Sequence, residues 1–573
     1  MNSPNKFKKV ITMIPSSSKY SLLFIQFSVI LISLMELMGV FSLYPLLNLI
    51  LYPSDDSWWL KKIKNIFHVD SYESVVIITG LTFVILLSLS NILRAILVYI
   101  YLQFCEKVGE MISVNLYKYY LNQNYKFILN KDTSEFVNNF MQDIPRFVSQ
   151  VLVPLLQINS QILVILLLTS SLIFLNPISA ICSFILIGFL YILTIIYARQ
   201  SLKRNSINLS QFSEKRLSLL KEGFGLFKWL KVSKKEEVFH SEFSGVINKI
   251  HKILLVNQSV ALIPRYILEF ITIVALALIS VITYMYSNDF LSVIPQIGIF
   301  GVAGLKLLPA LQQVYVGVTR YNANSSVIDT LYAPVIEANQ ANYKNVREVN
   351  KIQVNKCIEL KNVSFSYTNK KKILDNVNIK IDSKTFSAII GSSGSGKTTL
   401  IDIILGIIEP SDGEIFIDNN KIEFKKYQTQ NKKITFVPQE IYLTNSSIAD
   451  NIIFGELFEE KKVIQVLKLV DLWDHVKSCP NGIHEFIGEN GINLSGGQKQ
   501  KVGLARALYH DASFLILDES TNSIDNLSEI KIMKNLRSID NLTLIEISHK
   551  KNDLSYYDYI YEMNSGKLRE LKS

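Results

Sequence analysis

Six long apolar stretches followed by a change of texture organise this sequence. The runs near 20–51, 74–103, 147–176, 178–199, 261–286 and 292–317 each match the roughly 20 apolar residues that a helix needs to cross a bilayer. An even number of crossings returns the chain to the side on which it starts. Segments 104–146 and 200–260 are rich in Lys, Glu, Asn and Gln and carry little Pro/Gly punctuation, which predicts helices that continue out of the membrane into water. Between the third and fourth runs there is only an Asn176–Pro177 turn.

After Arg320 hydropathy falls, and VIEANQANYKNVREVNKIQ reads as a linker. From Ile358 onward short β-rich runs (IELKNVSFSY, FSAIIG, KITFVPQ, FLILDE, LTLIEIS) alternate with helical patterns, the layout of an α/β domain. The predicted organisation is an α-helical six-span membrane domain over 1–325, a linker over 326–355 and an α/β domain over 356–573.

Composition supports two solvents for one chain of 573 residues, since 49% are hydrophobic and only 19% charged. The formal charge of +10 is spread along the chain, and much of the excess flanks apolar runs, which argues for a membrane surface and against nucleic acid. Lys6, Lys8, Lys9 and Lys19 precede the first run. That run is too long for a signal-peptide core, so it reads as a retained helix with the N-terminus in the cytoplasm. Cys105, Cys182, Cys357 and Cys479 form no CxxC pair and no metal spacing, as expected of free thiols. The loop SDDSWWLKKIKNIFHV sets Trp59, Ile63, Ile66 and Phe67 at helical spacing with Lys61, Lys62 and Lys64 between them. It reads either as a short helix lying in the lipid interface or as a loop whose aromatics anchor the first span.

The chemistry concentrates in the α/β half. Gly391-Ser392-Ser393-Gly394-Ser395-Gly396-Lys397-Thr398, with Thr399 next, follows the apolar strand FSAII and opens the helix TLIDIILGI. Strand before and helix after is the context a P-loop requires: turned backbone N–H groups cradle phosphates, Lys397 reaches the β/γ-phosphates and Thr398 holds Mg²⁺. Phe514-Leu515-Ile516-Leu517 is a buried strand that presents Asp518 toward a metal and Glu519 toward an attacking water. A strand ending in two acids is common, so this pair takes its meaning from its company.

That company is Leu494-Ser495-Gly496-Gly497-Gln498, and with it the whole chain resembles the ABC transporter superfamily, as an exporter-type half-transporter. The resemblance implies that Ser495, Gly496, Gly497 and Gln498 cap the γ-phosphate of ATP held by a second chain. It implies that Tyr367 stacks on adenine, that Gln439 bridges the metal and the membrane domain, that Asp525 is the D-loop aspartate and that His549 contacts the γ-phosphate. Glu489 falls where exporters carry an acidic loop touching the transmembrane helices. Lys501 after the signature and the triplet around His549 depart from the common pattern without touching a required group. With one P-loop and one signature per chain, the resemblance implies a homodimer with two competent ATP·Mg²⁺ sites.

The charges inside the spans address the cargo. Glu36, Arg94, Arg265, Glu269 and Lys306 are costly in lipid and face a cavity or pair with one another. Three cations suit an anion such as a pyrophosphate, which Arg grips bidentately; intramembrane pairing and snorkelling are the alternatives. The stretches SLMELMGVFSLYPLL, ILRAILVYIY, NQSVALIPRYILEF and LKLLPALQQ resemble segments of the lipid-linked oligosaccharide flippases of bacterial protein glycosylation. By that resemblance Arg94 and Arg265 engage the pyrophosphate of a polyprenyl-linked glycan, Lys306 stands in for a third Arg, and Gln313 replaces another.

The expected function is therefore an ATP-driven flippase, multi-pass in a bacterial inner membrane, with its ATP-binding domain cytoplasmic. An exporter of a peptide, toxin or drug is the alternative. The version with an N-terminal peptidase domain is disfavoured, because about twenty residues precede the first span and the first cysteine is Cys105. A regulatory subunit that binds ATP without turnover is disfavoured by the presence of Glu519.

Overall fold

The computed structural model describes residues 6–51, 71–341 and 354–572, apart from 130, 132, 176, 268, 272, 275–276, 278–280, 282–292, 368–371, 425–426, 428–433, 489–490 and 549–553; over most of 178–199 and at 293–297 it describes the backbone alone. The expected interfacial segment around Trp59, the acidic-loop Glu489 and the switch residue His549 all lie outside the described residues. The chain divides into two compact units: residues 1–123 with 128–342, and residues 124–127 with 343–573.

The first unit is helical. Its elements include α1 (Lys6–Met13), α2 (Lys19–Phe41), α3 (Tyr72–Leu121), α4 (Val153–Leu175), α5 (Pro177–Gly225), α6 (Glu236–Leu262), α7 (Val293–Asn324) and α8 (Ser326–Gln340). Among the described residues five helices are long and apolar enough to cross a membrane: Ser16–Leu51, Tyr72–Leu121, Thr133–Phe174, Glu236–Ile271 and Gly298–Asn324. The remaining expected run, 178–199, falls within α5. In α2 the buried positions Ile25, Val29, Ile32, Ser33, Glu36, Gly39 and Val40 form one stripe at helical spacing. Phe24, Phe27 and Leu31 on the same helix are exposed. Apolar side chains facing outward and Ser33 and Glu36 buried inward are what a lipid-facing helix requires.

The polar stretch 104–121 continues α3 as a helix without a break. Leu97, Tyr101, Phe104, Cys105, Val108, Gly109, Ile112, Leu116 and Tyr119 are buried along it, a 3.6-residue period carried past the apolar run. The region expected to be linker from residue 326 is helical as far as Gln340. In α8 the buried residues Val327, Ile328, Leu331, Val335 and Ala338 recur at three- and four-residue spacing, and Lys6 and Lys9 of α1 both pair with its Asp329. The apolar stripe is diluted by Asp329, Glu337 and Asn339, and so its hydropathy alone reads as linker.

The second unit is α/β. Strands β1 (Cys357–Phe365), β2 (Leu374–Asp382), β3 (Phe386–Gly391), β4 (Asp412–Ile417), β5 (Asn420–Ile422), β6 (Ile434–Val437), β7 (Phe514–Asp518), β8 (Thr543–Ser548), β9 (Tyr559–Asn564) and β10 (Lys567–Lys572) form two sheets. The smaller, in order β2-β1-β4-β5, is antiparallel. The larger runs β10-β9-β3-β8-β7-β6, parallel from β9 to β6 with β10 antiparallel at its edge. Parallel strands are buried on both faces, hence their unbroken apolar runs. In β7 the two-residue period sends Phe514 and Ile516 into the core shared with β1 and β2, and Leu515 and Leu517 into the core under the helices that follow β6. Phe514 through Leu517 are at most 1% exposed. Truncating one such leucine to Ala costs about 2–5 kcal/mol, so the position of the acids after β7 is stiffly held.

Candidate functional site

The site is built at the carboxyl ends of parallel strands, where open α/β sheets place their ligands. β3 runs into the loop Gly391–Gly396 and then α9 (Lys397–Ile404). Gly396 is the N-cap of α9 at φ 110°, and a Cβ there would lie 3.0 Å from the Ile373 carbonyl, so both conformation and space demand glycine. Lys397 Nζ donates to the Gly391 carbonyl at 2.8 Å and to the Ser392 carbonyl at 2.9 Å. Burial holds its ammonium below the usual lysine range, against the opposing pull of Glu519 and Asp518. Ser395 and Thr399 are buried, whereas Ser392, Gly394 and Thr398 are exposed. The Ser395 hydroxyl has no hydrogen-bond partner, an orphan that a phosphate oxygen would satisfy.

Adjacent strands β6 and β7 bring the next groups together. Gln439, two residues beyond β6, donates its amide Nε2 to Glu519 Oε2 at 2.9 Å. Asn522 Nδ2 reaches the same oxygen at 3.4 Å. Glu519 sits at φ 50°, a left-handed conformation rare outside glycine that costs roughly 1–3 kcal/mol and concentrates at functional sites. Asp518 is 9% exposed at the end of β7. The Thr398 hydroxyl, the Gln439 amide oxygen and the Asp518 carboxylate are all hard oxygen donors, the set that fits Mg²⁺. With the Ser395 orphan and the N-terminus of α9, the residues present fit Mg²⁺-nucleotide.

The LSGGQ residues open α10 (Gly496–Tyr509) through a capping box. Ser495 Oγ accepts from Gln498 N at 3.3 Å, and Gln498 Oε1 accepts from Ser495 N at 2.8 Å. The box fixes the helix start and leaves the N–H groups of Gly496 and Gly497 at its N-terminus, suited to an anion. A Cβ on Gly497 would fall 2.7 Å from the Ser523 carbonyl. Asp525 caps α11 (Asn526–Arg537), accepting from Ser528 N at 2.9 Å; that bond holds its carboxyl below the usual range. Tyr367 is exposed and packs edge-on against Phe365 with ring centroids 4.9 Å apart.

Two residues that sequence reasoning missed, Arg506 and Gln500, tie these loops together, and a third, Asp402, lies behind them in charge range of Asp518. Arg506 on α10 donates to the Asn451 carbonyl at 2.7 Å and the Tyr442 carbonyl at 3.2 Å, anchoring the segment after Gln439 to the signature helix. Gln500 Oε1 accepts from Ser523 N at 3.0 Å. Asp402 on α9 is pushed up to about 6 by burial and by Asp518. The signal was available for Arg506, a cation inside the apolar stripe GLARAL. Lys501 bonds the Asp471 carbonyl at 3.0 Å and Ser528 Oγ at 3.0 Å, a bracing contact.

In the first unit the predicted cargo cations are only partly gathered. Arg94 on α3 pairs with Glu36 of α2, whose carboxylate is 1% exposed. Lys306 on α7 donates to Asn91 Oδ1 at 2.6 Å and feels the charges of Glu36 and Arg94. Arg265 does not join them; its Nε donates to Glu269 Oε1 at 2.6 Å on its own helix, and it is exposed. Gln313 accepts from Gln161. The pairing alternative thus describes both arginines.

Residues 374–522 match the family described as ABC transporter. The chain is 40% identical over 215 residues to the multidrug resistance-like ATP-binding protein MdlB of Buchnera aphidicola subsp. Acyrthosiphon pisum, covering 37% of each chain. It is 34% identical over 219 residues to the ATP-dependent lipid A-core flippase of Paraburkholderia xenovorans, again 37% of each. The matched part thus spans under two-fifths of these relatives' length. Across 95% of both chains the fold matches the structure of a bacterial Atm1-family ABC exporter with ATP bound, at TM-score 0.73 and 18% identity. Residues 374–522 thus match an ABC transporter ATP-binding domain, and the chain has the fold of an ABC exporter.

Proposed function

We propose that this chain is an ATP-driven exporter that acts as a homodimer and flips a polyprenyl-pyrophosphate oligosaccharide, or a related anionic glycolipid, across a bacterial inner membrane. The observation that carries the ATPase part is the Gln439–Glu519 bond beside Asp518 and the P-loop lysine Lys397. Glu519 is the general base for the attacking water, Lys397 and the loop amides neutralise phosphate charge, and Mg²⁺ supplies Lewis-acid polarisation of the phosphate oxygens when bound. Gln439 holds Glu519 in place. Thr398, Gln439 and Asp518 would hold Mg²⁺, and by the family resemblance His549 would contact the γ-phosphate.

Each composite site takes its P-loop from one chain and its LSGGQ helix from another, so two copies give two sites. The ATP-binding domain and the N-terminus are cytoplasmic in this reading, in line with Lys6, Lys8 and Lys9 ahead of the first span. For the cargo, the cluster of Arg94, Lys306 and Asn91 around Glu36 carries two cations against one anion and suits a pyrophosphate better than a neutral drug. Arg265 contributes after exchanging Glu269 for substrate. These segments resemble those of the PglK-type lipid-linked oligosaccharide flippase. Export of a peptide or drug is the second reading, favoured by the pairing of both arginines with acids. ATPase activity of the purified chain in lipid nanodiscs separates them: stimulation by lipid-linked oligosaccharide supports the flippase, and stimulation only by apolar peptides or drugs supports the second reading.

A further inference from the structure

Outside the nucleotide site, the first unit holds a cavity of about 620 Å³. Its size falls within the roughly 300–1,000 Å³ of small-molecule sites. Three arginines, Arg146, Arg216 and Arg320, line it together with the amides of Gln142, Gln150 and Asn257 and with apolar side chains such as Leu209, Ile250 and Leu254; among the described residues no carboxylate lines it. Residues 142, 146 and 150 are four apart. In a regular helix of 3.6 residues per turn that spacing drifts by about 40° per step. Here two π-helical turns, Asn139–Asp143 and Val148–Leu152, flank Arg146. Their wider turns keep all three side chains on the cavity face, and such turns recur at functional sites.

Arg146 is fixed in place: Nε donates to Asn324 Oδ1 at 2.6 Å, Nη1 to Ser210 Oγ at 3.1 Å and Nη2 to the Ala323 carbonyl at 3.3 Å. Asn324 in turn donates to the Arg320 carbonyl at 2.7 Å, which ties the backbone of the third arginine to the same network. Two N–H groups of Arg146 remain for a ligand. The buried Asp143 balances Arg146, and Glu214 lies near Asp143. Arg216 is half-buried and Arg320 exposed, so the cavity carries net positive charge over a lining that mixes amides with apolar side chains. A site of that composition recognises an oxyanion attached to a hydroxyl-rich body.

We infer that this cavity is an anion-binding subsite distinct from the Arg94–Lys306 cluster, receiving the glycosyl-pyrophosphate headgroup on the cytoplasmic side before it moves toward that cluster. This assignment rests on the flippase reading for the identity of the headgroup, and on the three arginines and two π-turns for the site itself.

The test is direct binding of a fluorescent, tail-free glycosyl pyrophosphate to the full-length dimer in nanodiscs, with excess ADP·Mg²⁺ filling the P-loop. Wild type is expected to bind saturably. Arg216→Gln/Arg320→Gln should bind at least about tenfold more weakly, a loss on the scale of one charge-assisted contact. The charge-preserving pair Arg216→Lys/Arg320→Lys should stay within about threefold of wild type, and this arm separates electrostatics from misfolding. No saturable binding by wild type, or equal affinity in the Gln pair, overturns the subsite. Unchanged probe binding in the Gln pair, alongside intact translocation of the lipid-linked oligosaccharide, removes the subsite alone. Arginine-dependent binding in a chain that translocates no such lipid keeps the subsite and removes the flippase reading.

Discussion

The amide of Gln439 donates to Glu519 Oε2 at 2.9 Å, linking the loop after β6 to the residue after β7. The two residues are 80 apart in sequence, and only the parallel pairing of β6 with β7 brings them together. Glu519→Gln keeps an oxygen that accepts the Gln439 amide and removes the proposed base. Its ATP hydrolysis is expected to fall by about 10²-fold or more, within the usual range for general-base loss, with no drop in melting temperature. Gln439→Ala should give a smaller fall. Phosphate release assays and thermal melts on the same preparations check both.

The LSGGQ start is held by the Ser495–Gln498 box and by close packing on Ser523. Ser495→Ala should destabilise the second unit by about 1 kcal/mol, the usual cost of a lost cap, read by denaturant unfolding. Gly497→Ala brings a methyl to 2.7 Å from the Ser523 carbonyl. It must push the signature from the segment leading to Asp525, and steady-state ATPase should fall in a protein that still folds.

Asp402 supplies a pH signature. Its folded pKa of about 6 lies above the ordinary 3.8, from burial first and Asp518 second. Between those values the fold binds a proton that the unfolded chain has released, so stability falls as pH rises from about 4 to about 6 and levels off above. Asp402→Asn should flatten that limb and raise the melting temperature at pH 7.5 relative to wild type. A melt series from pH 4.5 to 8 reads the slope.

Arg94 pairs with Glu36 and, in the proposed function, serves the cargo, and a single substitution confuses the two. Arg94→Ala leaves the buried Glu36 carboxylate without its partner, and removal of one member of a buried pair costs about 3–5 kcal/mol. Glu36→Gln/Arg94→Gln should recover most of the thermal stability. It should not recover transport per ATP hydrolysed if Arg94 also serves the cargo. Melting curves and coupled transport assays on both variants separate the roles.

Much of the architecture was legible because it rests on local signals. Apolar runs marked the five helices that are long and apolar enough to cross a membrane among the described residues, and the strand-loop-helix around Lys397 and the unbroken run before Asp518 marked the α/β layout. The α8 helix was missed because its stripe, Val327, Ile328, Leu331 and Val335, is interleaved with polar residues. In the site, residue types announced the P-loop and signature, yet the capping box, written as S-x-x-Q at Ser495–Gln498, was available in sequence and unread. What sequence could not reach was pairing across distance. Glu36 with Arg94, Arg506 with Tyr442 and Asn451, and the meeting of Arg146, Arg216 and Arg320 at one cavity all depend on which helices and loops become neighbours.

The most direct measurement is ATP-dependent translocation of a labelled polyprenyl-pyrophosphate oligosaccharide in proteoliposomes, with Glu519→Gln alongside. The expected result is translocation by wild type with none by the variant. Wild-type liposomes that hydrolyse ATP and leave the labelled lipid in its original leaflet would contradict the flippase reading and put peptide or drug export in its place.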